Sequence, residues 1–245
     1  MDSGLYAACT ALIARTQSLD LAANNLANVN TAGYRAQRAT FRSLLAHSSN
    51  TGLSPLNQAV NDYAVLHGSH IDTTAGGLER TSNDLDFAIE GDGYFAVQTK
   101  YGVRYTRNGQ FQISTQGHLV TSSGDPALGD QGPLQLPRGA VSVGPDGTVS
   151  VGGALAGKLK IIKFPPGTPI QAEGSAYFSA PPNAASPAIG AVVRQGMLES
   201  SNVSAVEGAI DLIALQRHAE LLQRAVTVFH SEFNRIAAED LPRIS

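Results

Sequence analysis

The side chains that could do chemistry in this sequence are few. Cys9 is the single cysteine of the 245 residues, which excludes an internal disulfide and a cysteine-based zinc cluster. His67, His70 and Asp72 have the spacing of metal ligands, but they lie among polar residues and we expect solvated loop positions. Asp84, Asp86, Glu90 and Asp92 have the two-residue spacing of a calcium loop, but the glycine and the final glutamate of an EF-hand loop are misplaced here. We therefore expect turn or strand-edge positions for these four carboxylates.

Sequence motifs for covalent, nucleotide or metalloprotease chemistry are absent. Cys9 falls on the apolar face of a predicted helix, which suits a small buried residue better than a nucleophile. We therefore expect no enzyme and assign no catalytic, cofactor or metal residue. A hydrolase would need a convergent polar site, and the sequence provides none that we can assemble.

Charge and hydropathy exclude further classes. The net charge is −3 and only 15% of the residues are charged, which argues against a nucleic-acid partner. No apolar stretch is long enough for a membrane-spanning helix, so no direct membrane insertion is expected. The apolar run at 4–14 has no basic residue before it and no convincing cleavage site after it, so no cleavable signal peptide is predicted.

Two proline-free segments, one near each end of the chain, are predicted to form helices. In the first 33 residues a leucine recurs every seven residues, with a small residue between successive leucines, and this pattern predicts a helical seam. Gly33 is the expected stop of that helix. The leucines of the seam are Leu5, Leu12, Leu19 and Leu26.

The C-terminal region carries the sharper helical signal. Apolar residues at alternating steps of three and four predict a helix over about 205–239, with a capping box at Ser204 and Glu207 and an end before Pro242. Two interpretations stay open: an antiparallel coiled coil between the two ends of one chain, or helices that also pack between subunits. The seam consists of Leu212, Leu215, Ala219, Leu222, Val226, Phe229, Phe233 and Ile236.

The middle of the chain has the pattern of a β domain. Short alternating strands with Asp92-Gly93, Asn108-Gly109 and Asp146-Gly147 turns predict hairpins, and the lack of strand-helix alternation disfavours a doubly wound sheet. The predicted fold class is α+β, with paired N- and C-terminal helices forming an inner coiled-coil domain and a central all-β domain. The boundaries are 1–33 and 203–245 for the helical domain, 34–70 for an extended connector and 71–202 for the β domain.

Four stretches, in order along the chain, resemble motifs of the bacterial flagellar rod and hook proteins. Residues 24–34 resemble the ANNLAN-x-x-T-x-G-[FY] signature, 90–95 the GxGFF element, 105–111 the YTRxGxF element, and 195–203 the QGxLExSNV approach to the C-terminal helix. The motif residues expected to be structural are Gly33, Tyr34, Gly91, Gly93, Tyr94, Phe95, Arg107, Gly109, Phe111, Gly196, Glu199 and Asn202.

The resemblance implies a structural subunit of the basal-body rod, without cofactor, that assembles helically across the periplasm as a shaft transmitting torque from motor to hook. It implies terminal helices that line a central channel, and export by the flagellar type III apparatus. The implied partners are other rod proteins, copies of the chain itself, the rod cap and the export apparatus. The opening residues 1–6 are more similar to proximal than to distal rod members, and the distal type is the alternative.

Subunit contacts are expected along both leucine seams and at the asparagines of the first motif, Asn24, Asn25 and Asn28. For these asparagines, capping of the helix end is an equal alternative. A competitor from another class, a β-rich surface or adhesion module, would explain the middle of the chain but not the seams at its two ends.

Overall fold

The computed structural model describes residues 2–42, 65–174, 176–181 and 183–240, with the backbone alone at 2–8, 41–42, 65–68, 229, 232–234 and 236–240. Helix α1 spans Asp2–Ala27 and helix α2 spans Ala205–Asp240. The chain between them is rich in β-structure, which confirms the α+β class. Pro242 lies outside the described residues, and the predicted bounds of α2 agree with the structure to within a residue.

The strands of the described residues are short and follow one another closely. In chain order they are β1 (Gln37–Arg42), β2 (Val65–Ile71), β3 (Leu78–Arg80), β4 (Phe87–Glu90), β5 (Tyr94–Thr99), β6 (Gly102–Thr106), β7 (Phe111–Ile113), β8 (Leu119–Thr121), β9 (Leu128–Gly129), β10 (Gly132–Pro133), β11 (Val141–Val143), β12 (Thr148–Val151), β13 (Ala154–Lys158), β14 (Ile161–Lys163), β15 (Gln171–Glu173), β16 (Tyr177–Ser179), β17 (Ser186–Pro187), β18 (Val192–Gln195) and β19 (Met197–Glu199).

Antiparallel pairing organises β3 to β19. The largest sheet has six strands in the order β15-β16-β6-β5-β14-β17, and a second has the order β11-β12-β13. Two-stranded sheets join β10 to β9, β18 to β4, β19 to β3 and β7 to β8. Strands β1 and β2 also pair with each other, and both begin in the interval predicted as an extended connector.

The chain divides into two compact units. The helical unit contains residues up to Leu26, 37–69 and 205 onwards, and the β-rich unit contains 27–36 and 70–204. The core of the β-rich unit is apolar and fully enclosed, with Phe95 and Phe111 in edge-to-face contact at 5.3 Å between ring centroids. Tyr94 belongs to a smaller cluster with Phe178 and Ile162. Tyr94, Phe95 and Phe111 of the second and third motifs are therefore core residues.

Two expectations about turns and ends were wrong. Helix α1 ends at Ala27 rather than at Gly33, and residues 28–33 form turns. The Asp92-Gly93 and Asn108-Gly109 pairs do not close hairpins, because β4 pairs with β18, β5 with β6 and β14, and β7 with β8. Long-range pairing overrides the local turn signal at both places. Asp146-Gly147 does connect a hairpin, between β11 and β12.

Candidate functional site

An arginine–glutamate cluster lies at the centre of the motif residues and consists of Arg35, Arg107 and Glu199. Arg35 Nη2 lies 2.5 Å from Glu199 Oε1, and Arg107 Nη1 lies 3.0 Å from Glu199 Oε2. The exposed fraction of all three side chains is 4% or less. One carboxylate therefore holds two guanidinium groups in a site that excludes water, where ion pairs demand good geometry and further hydrogen bonds.

Backbone carbonyls supply part of those further bonds. Arg107 donates to the carbonyls of Ile89 at 2.9 Å and of Gly91 at 2.6 Å, and Arg35 donates to the carbonyl of Thr74. The Nε atoms of both arginines have no hydrogen-bond partner among the described residues. Burial lowers the pKa of Arg107, and the Glu199 carboxylate opposes that shift. The cluster thus depends on its single anion.

Glu199 and its neighbours also bind the chain that follows α1. The amide of Gly76 donates to Glu199 Oε1 at 3.0 Å, and the amide of Gly33 donates to the Glu199 carbonyl at 2.7 Å. Residues 33–35, 76 and 199 lie far apart in sequence. The cluster therefore joins the segment by which the chain enters the β-rich unit to the segment by which it leaves.

Asn202 strengthens this connection with its side-chain amide. Its Oδ1 accepts from the amide of Ala36 at 2.7 Å, and its Nδ2 donates to the carbonyls of Asp72 and Thr74, both at 3.0 Å. The side chain replaces a strand partner for two separate segments, because an amide offers both a donor and an acceptor. Its place in the fourth motif follows from this dual requirement.

Two motif glycines are required by close backbone approach. Gly33 has φ +68°, and a Cβ there would lie 2.2 Å from the carbonyl carbon of Arg107. A Cβ on Gly109 would lie 1.5 Å from the carbonyl oxygen of Phe87. Neither site can hold a side chain without moving the backbone. Gly109 is thus explained by packing against β4 and not by a hairpin turn.

The remaining motif glycines occupy the same neighbourhood. The Gly91 carbonyl accepts from Arg107, Gly93 packs against Ile161, and the Gly196 amide donates to the Asp86 carbonyl at 2.8 Å. Tyr94 lies 5.3 Å from the Arg107 guanidinium, measured to the ring centroid. Tyr34 is buried with an exposed fraction of 2%. The four motifs therefore meet in one place within the β-rich unit.

Sequence reasoning missed two residues of this region. Arg35 lies outside the four motifs, but it directly follows the first motif and is a charge next to buried Tyr34. Gln195 begins the fourth motif, and its side-chain amide accepts from the Val143 backbone amide at 3.1 Å and donates to the Val141 carbonyl at 2.9 Å. That pair of bonds closes the open edge of β11. The available signal was the position of this polar residue directly before the motif glycine Gly196.

Two asparagines of the first motif make contacts within the chain. Asn25 donates to the Gln37 carbonyl at 2.8 Å and accepts from the Gln37 amide at 2.9 Å. Asn28 accepts from the Thr31 hydroxyl at 3.2 Å, and its carbonyl accepts from the Thr31 amide. Asn24 is exposed. Asn25 and Asn28 therefore shape the turn after α1.

The seam residues of the helices are half-buried. Leu12, Leu19 and Leu26 of α1 have intermediate exposure. Among residues 9–27, where side chains are described, the buried ones are Ala14 and Ser18, which lie off the leucine seam. The side chains of Leu5, Phe229 and Phe233 lie outside the described residues. The described seam positions of α2 all have intermediate exposure, and they are Leu212, Leu215, Ala219, Leu222 and Val226.

The candidate chemical residues have structural surroundings. Glu90 pairs with Arg194 at 2.8 Å, and Asp86 accepts from Asn83 at 2.9 Å. Cys9 is half-buried, His70 is exposed, and the His67 side chain lies outside the described residues. Within the described part of the chain, no group of three or more histidine, cysteine, aspartate or glutamate residues is arranged to hold a metal ion.

A search for membrane spans covered the same residues. None of the helices described there combines the length and the apolarity that crossing a bilayer requires.

Three family models match the chain. "Flagella basal body rod protein" matches residues 5–35, "Flagellar hook protein FlgE/F/G D1 domain" matches 88–151, and "Flagellar basal body rod FlgEFG protein C-terminal" matches 194–236. Arg35, Arg107 and Glu199 fall one in each of these three matches. The arginine–glutamate cluster therefore joins the separately matched segments.

Curated relatives agree over nearly the whole length. The chain is 34% identical to the flagellar basal-body rod protein FlgF of Caulobacter vibrioides over 100% of both chains. It is 35% identical to FlgF of Escherichia coli, covering 93% of this chain and 94% of that one. It is 32% identical to the rod protein FlgG of Agrobacterium fabrum, covering 91% and 94%. The chain belongs to the flagellar basal-body rod family and is a structural rod subunit of the FlgF type.

Proposed function

We propose that this subunit polymerises helically with other rod proteins and with copies of itself, and that the product is a shaft across the periplasm that transmits torque from motor to hook. In this proposal the chain has no catalytic activity and needs no cofactor. Its terminal helices form the inner domain and its β-rich unit lies outside them. Export through the flagellar type III apparatus without a cleavable signal peptide, and assembly beneath the rod cap, complete the proposal.

The observation that carries the proposal is the half-buried seam of α2. Leu212, Leu215 and Leu222 keep intermediate exposure in the single chain. Full burial of a leucine side chain stabilises by about 1.5–3 kcal/mol relative to full exposure. Neighbouring helices that complete this burial would make assembly favourable, and contacts that do not close on themselves generate a helical polymer.

Pairing of α1 with α2 as a coiled coil is part of the same proposal. The leucine heptads of α1 and the three-four spacing of α2 support it, because such seams pack knobs into holes. Leu5, Phe229 and Phe233 extend the two seams along the chain. Contacts of these seams with neighbouring subunits, and of Asn24 with them, are proposed on the same basis.

The arginine–glutamate cluster has a mechanical role in this proposal. A shaft must carry load between its helices and its β-rich parts without local unfolding. Arg35 precedes β1 along the chain and Glu199 precedes α2, so load on either helix reaches the β-rich unit at these two residues. A buried, hydrogen-bonded ion cluster resists separation, since pulling one partner away leaves an uncompensated charge.

The proposed function is tested by introducing a charged side chain into the seam of α2. In a bacterium whose own copy is deleted, Leu222→Asp is expected to abolish incorporation into purified basal bodies and to abolish swimming. The introduced carboxylate would have to be desolvated in the assembled seam, which is costly. Incorporation is measured by immunoblot of basal bodies, and swimming by spreading in soft agar.

The matched control is Gln216→Asp, which places the same charge on an exposed position of α2 outside the seam. It is expected to assemble normally. Hydrogen exchange on the purified variants checks that the β-rich unit remains folded in both. Normal incorporation of Leu222→Asp would contradict the proposal, and so would a deletion strain that builds a complete rod and swims.

A further inference from the structure

Helix α2 carries a second apolar face opposite its seam. The five large apolar side chains of this second face have exposed fractions between 54% and 70%. They follow spacings of three, four, seven and eight residues, which return to one side of a helix with 3.6 residues per turn. The exposed stripe, as we name it, consists of Val206, Ile210, Ile213, Arg217, Leu221, Arg224 and Val228.

The position of the stripe separates it from the seam. Successive residues of an α-helix are turned by about 100° around its axis. With this angle, the stripe residues and the seam residues of α2 lie on opposite sides of the helix. A helix that is apolar on opposite sides needs partners on both. Coverage of the seam alone would leave five large apolar side chains in water, so the stripe requires an occupant of its own.

The two arginines of the stripe indicate the charge of that occupant. Arg217 and Arg224 are exposed and interrupt the apolar side chains at an interval of two helical turns. Neither forms an ion pair with another of the described residues. An occupant that buries the stripe must therefore supply a carboxylate next to an apolar side chain.

Helix α1 has this pattern on its own exposed side. Ile13 has an exposed fraction of 60%, and Asp20, two turns later, is exposed as well. Gln17 and Asn24 continue the same side. The interval from Ile13 to Asp20 equals the interval from Ile210 to Arg217, so one helix can place an apolar contact and an ion pair on the other at the same time.

An anionic membrane is the other surface that suits arginines among apolar residues. The charge of α2 as a whole argues against it. The helix contains six carboxylates, Glu207, Asp211, Glu220, Glu232, Glu239 and Asp240, against three arginines. Such a helix would be repelled by anionic lipid, whereas a protein helix with a single placed carboxylate fits it.

We infer that the exposed stripe of α2 binds the exposed side of α1 from a second copy of this chain, with Asp20 of one copy paired with Arg217 of the other. This inference rests on the proposed function and assigns the second of two interfaces on α2. The seam and the stripe then contact different neighbours, which is the requirement for a subunit that extends a helical polymer in more than one direction.

The test is a charge exchange in the full-length chain, in a strain whose own copy is deleted. Arg217→Glu and Asp20→Arg are each expected to lower incorporation into basal bodies by about tenfold or more, since like charges at a close contact are strongly disfavoured. The double variant, with the charges exchanged, is expected to regain most of the lost incorporation. Gln216→Glu, outside the stripe, is the matched control and is expected to incorporate normally.

A crosslink identifies the occupant. In a Cys9→Ser background, one copy carries Asp20→Cys with an affinity tag and a co-expressed copy carries Arg217→Cys. Oxidation of purified basal bodies is expected to give a disulfide-linked dimer of the two copies, which no bond within one chain can mimic.

Several outcomes would overturn the inference. They are normal incorporation of both single variants, a double variant no better than the singles, a crosslink of Arg217→Cys to a different protein, and binding of the full chain to anionic phosphatidylglycerol vesicles that Arg217→Glu abolishes. If Leu222→Asp fails to assemble while Arg217→Glu assembles normally, the inference alone fails. If the wild-type chain is itself dispensable for the rod, the proposed function fails.

Discussion

The β-rich unit and helix α2 differ in how far they bury their apolar and charged side chains. In the β-rich unit Phe95, Phe111 and Leu119 have exposed fractions of 1% or less, and even Arg35 and Glu199 are buried. On α2 five large apolar side chains are more than half exposed. The β-rich unit therefore encloses an apolar core within one chain, although single side chains on its surface, among them Tyr101, Leu155 and Ile189, are 70% to 89% exposed. The helix carries apolar surface that other chains bury in the proposed assembly.

This difference in burial predicts which substitutions change the stability of the free subunit and which change its assembly into the rod. A substitution inside the β-rich unit should lower the free energy of unfolding of the free subunit. A substitution on the exposed stripe of α2 should leave that free energy nearly unchanged and should act on incorporation into the rod, as expected for Arg217→Glu.

The largest loss of stability is expected for Glu199→Gln. The variant keeps the shape of the side chain but leaves two buried guanidinium groups without their anion, at a cost of about 3–5 kcal/mol. Urea unfolding of the purified chain, followed by near-ultraviolet circular dichroism of its tyrosines, measures this loss. The control is Glu90→Gln, in the pair with Arg194 whose side chains are 53% and 51% exposed.

That exposed pair is expected to contribute about 0–1 kcal/mol. Similar losses in Glu199→Gln and Glu90→Gln would remove the reason for treating the buried cluster as the central tie of the β-rich unit.

A smaller but still large loss is expected for Gly33→Ala. Gly33 and Gly174 have nearly equal φ angles of +68° and +69°, but a Cβ at Gly174 would meet nothing within 4 Å. Gly174→Ala should cost about 1–2 kcal/mol for the left-handed backbone. Gly33→Ala should cost about 1–3 kcal/mol more, because its methyl group overlaps the Arg107 backbone.

The measurement for this pair is again urea unfolding. Equal losses in the two alanine variants would show that backbone strain, and not the close approach to residue 107, accounts for Gly33.

The smallest effect concerns alkaline pH. Burial raises the pKa of Tyr94, with Arg35 and Arg107 opposing the shift. A phenol whose pKa is higher in the folded than in the unfolded chain stabilises the fold fully below the unfolded value of about 10. That contribution is lost as pH rises through the folded value, because the unfolded chain then releases the proton first.

Tyr94→Phe should therefore lose less stability than the wild type between about pH 9 and pH 11. The control is Tyr101→Phe, since Tyr101 is 70% exposed and its removal should leave the pH dependence unchanged. Melting temperatures across that pH range decide the question, and parallel curves for all three proteins would exclude Tyr94 as a contributor.

The sequence predicts elements better than it predicts their connections. The bounds of α2 follow from apolar spacing, because a helix is specified by local contacts. The Asn108-Gly109 pair misled because its glycine serves a close approach to Phe87, which lies on a strand reached only through the fold. No local pattern distinguishes a glycine needed for a turn from one needed for such an approach.

The arginine–glutamate cluster shows a second limit. Arg107 and Glu199 could be selected as motif residues by resemblance, but their contact joins positions that are distant in sequence. Arg35 carries no pattern of its own and becomes recognisable only when its carboxylate partner is located. Side chains that substitute for backbone partners, such as Asn202 and Gln195, depend in the same way on segments that only tertiary structure brings together.

The reach of the Asn202 side chain also has a kinetic consequence. Its bond to the Ala36 amide spans 166 positions, and the Arg107 to Glu199 bond spans 92. Contacts between such distant positions form late, because the entropy of closing long loops must be overcome before they add stability. We therefore expect the β-rich unit to fold slowly, with the contacts between its first and last segments forming last. A newly made chain should therefore remain for a measurable time without these contacts.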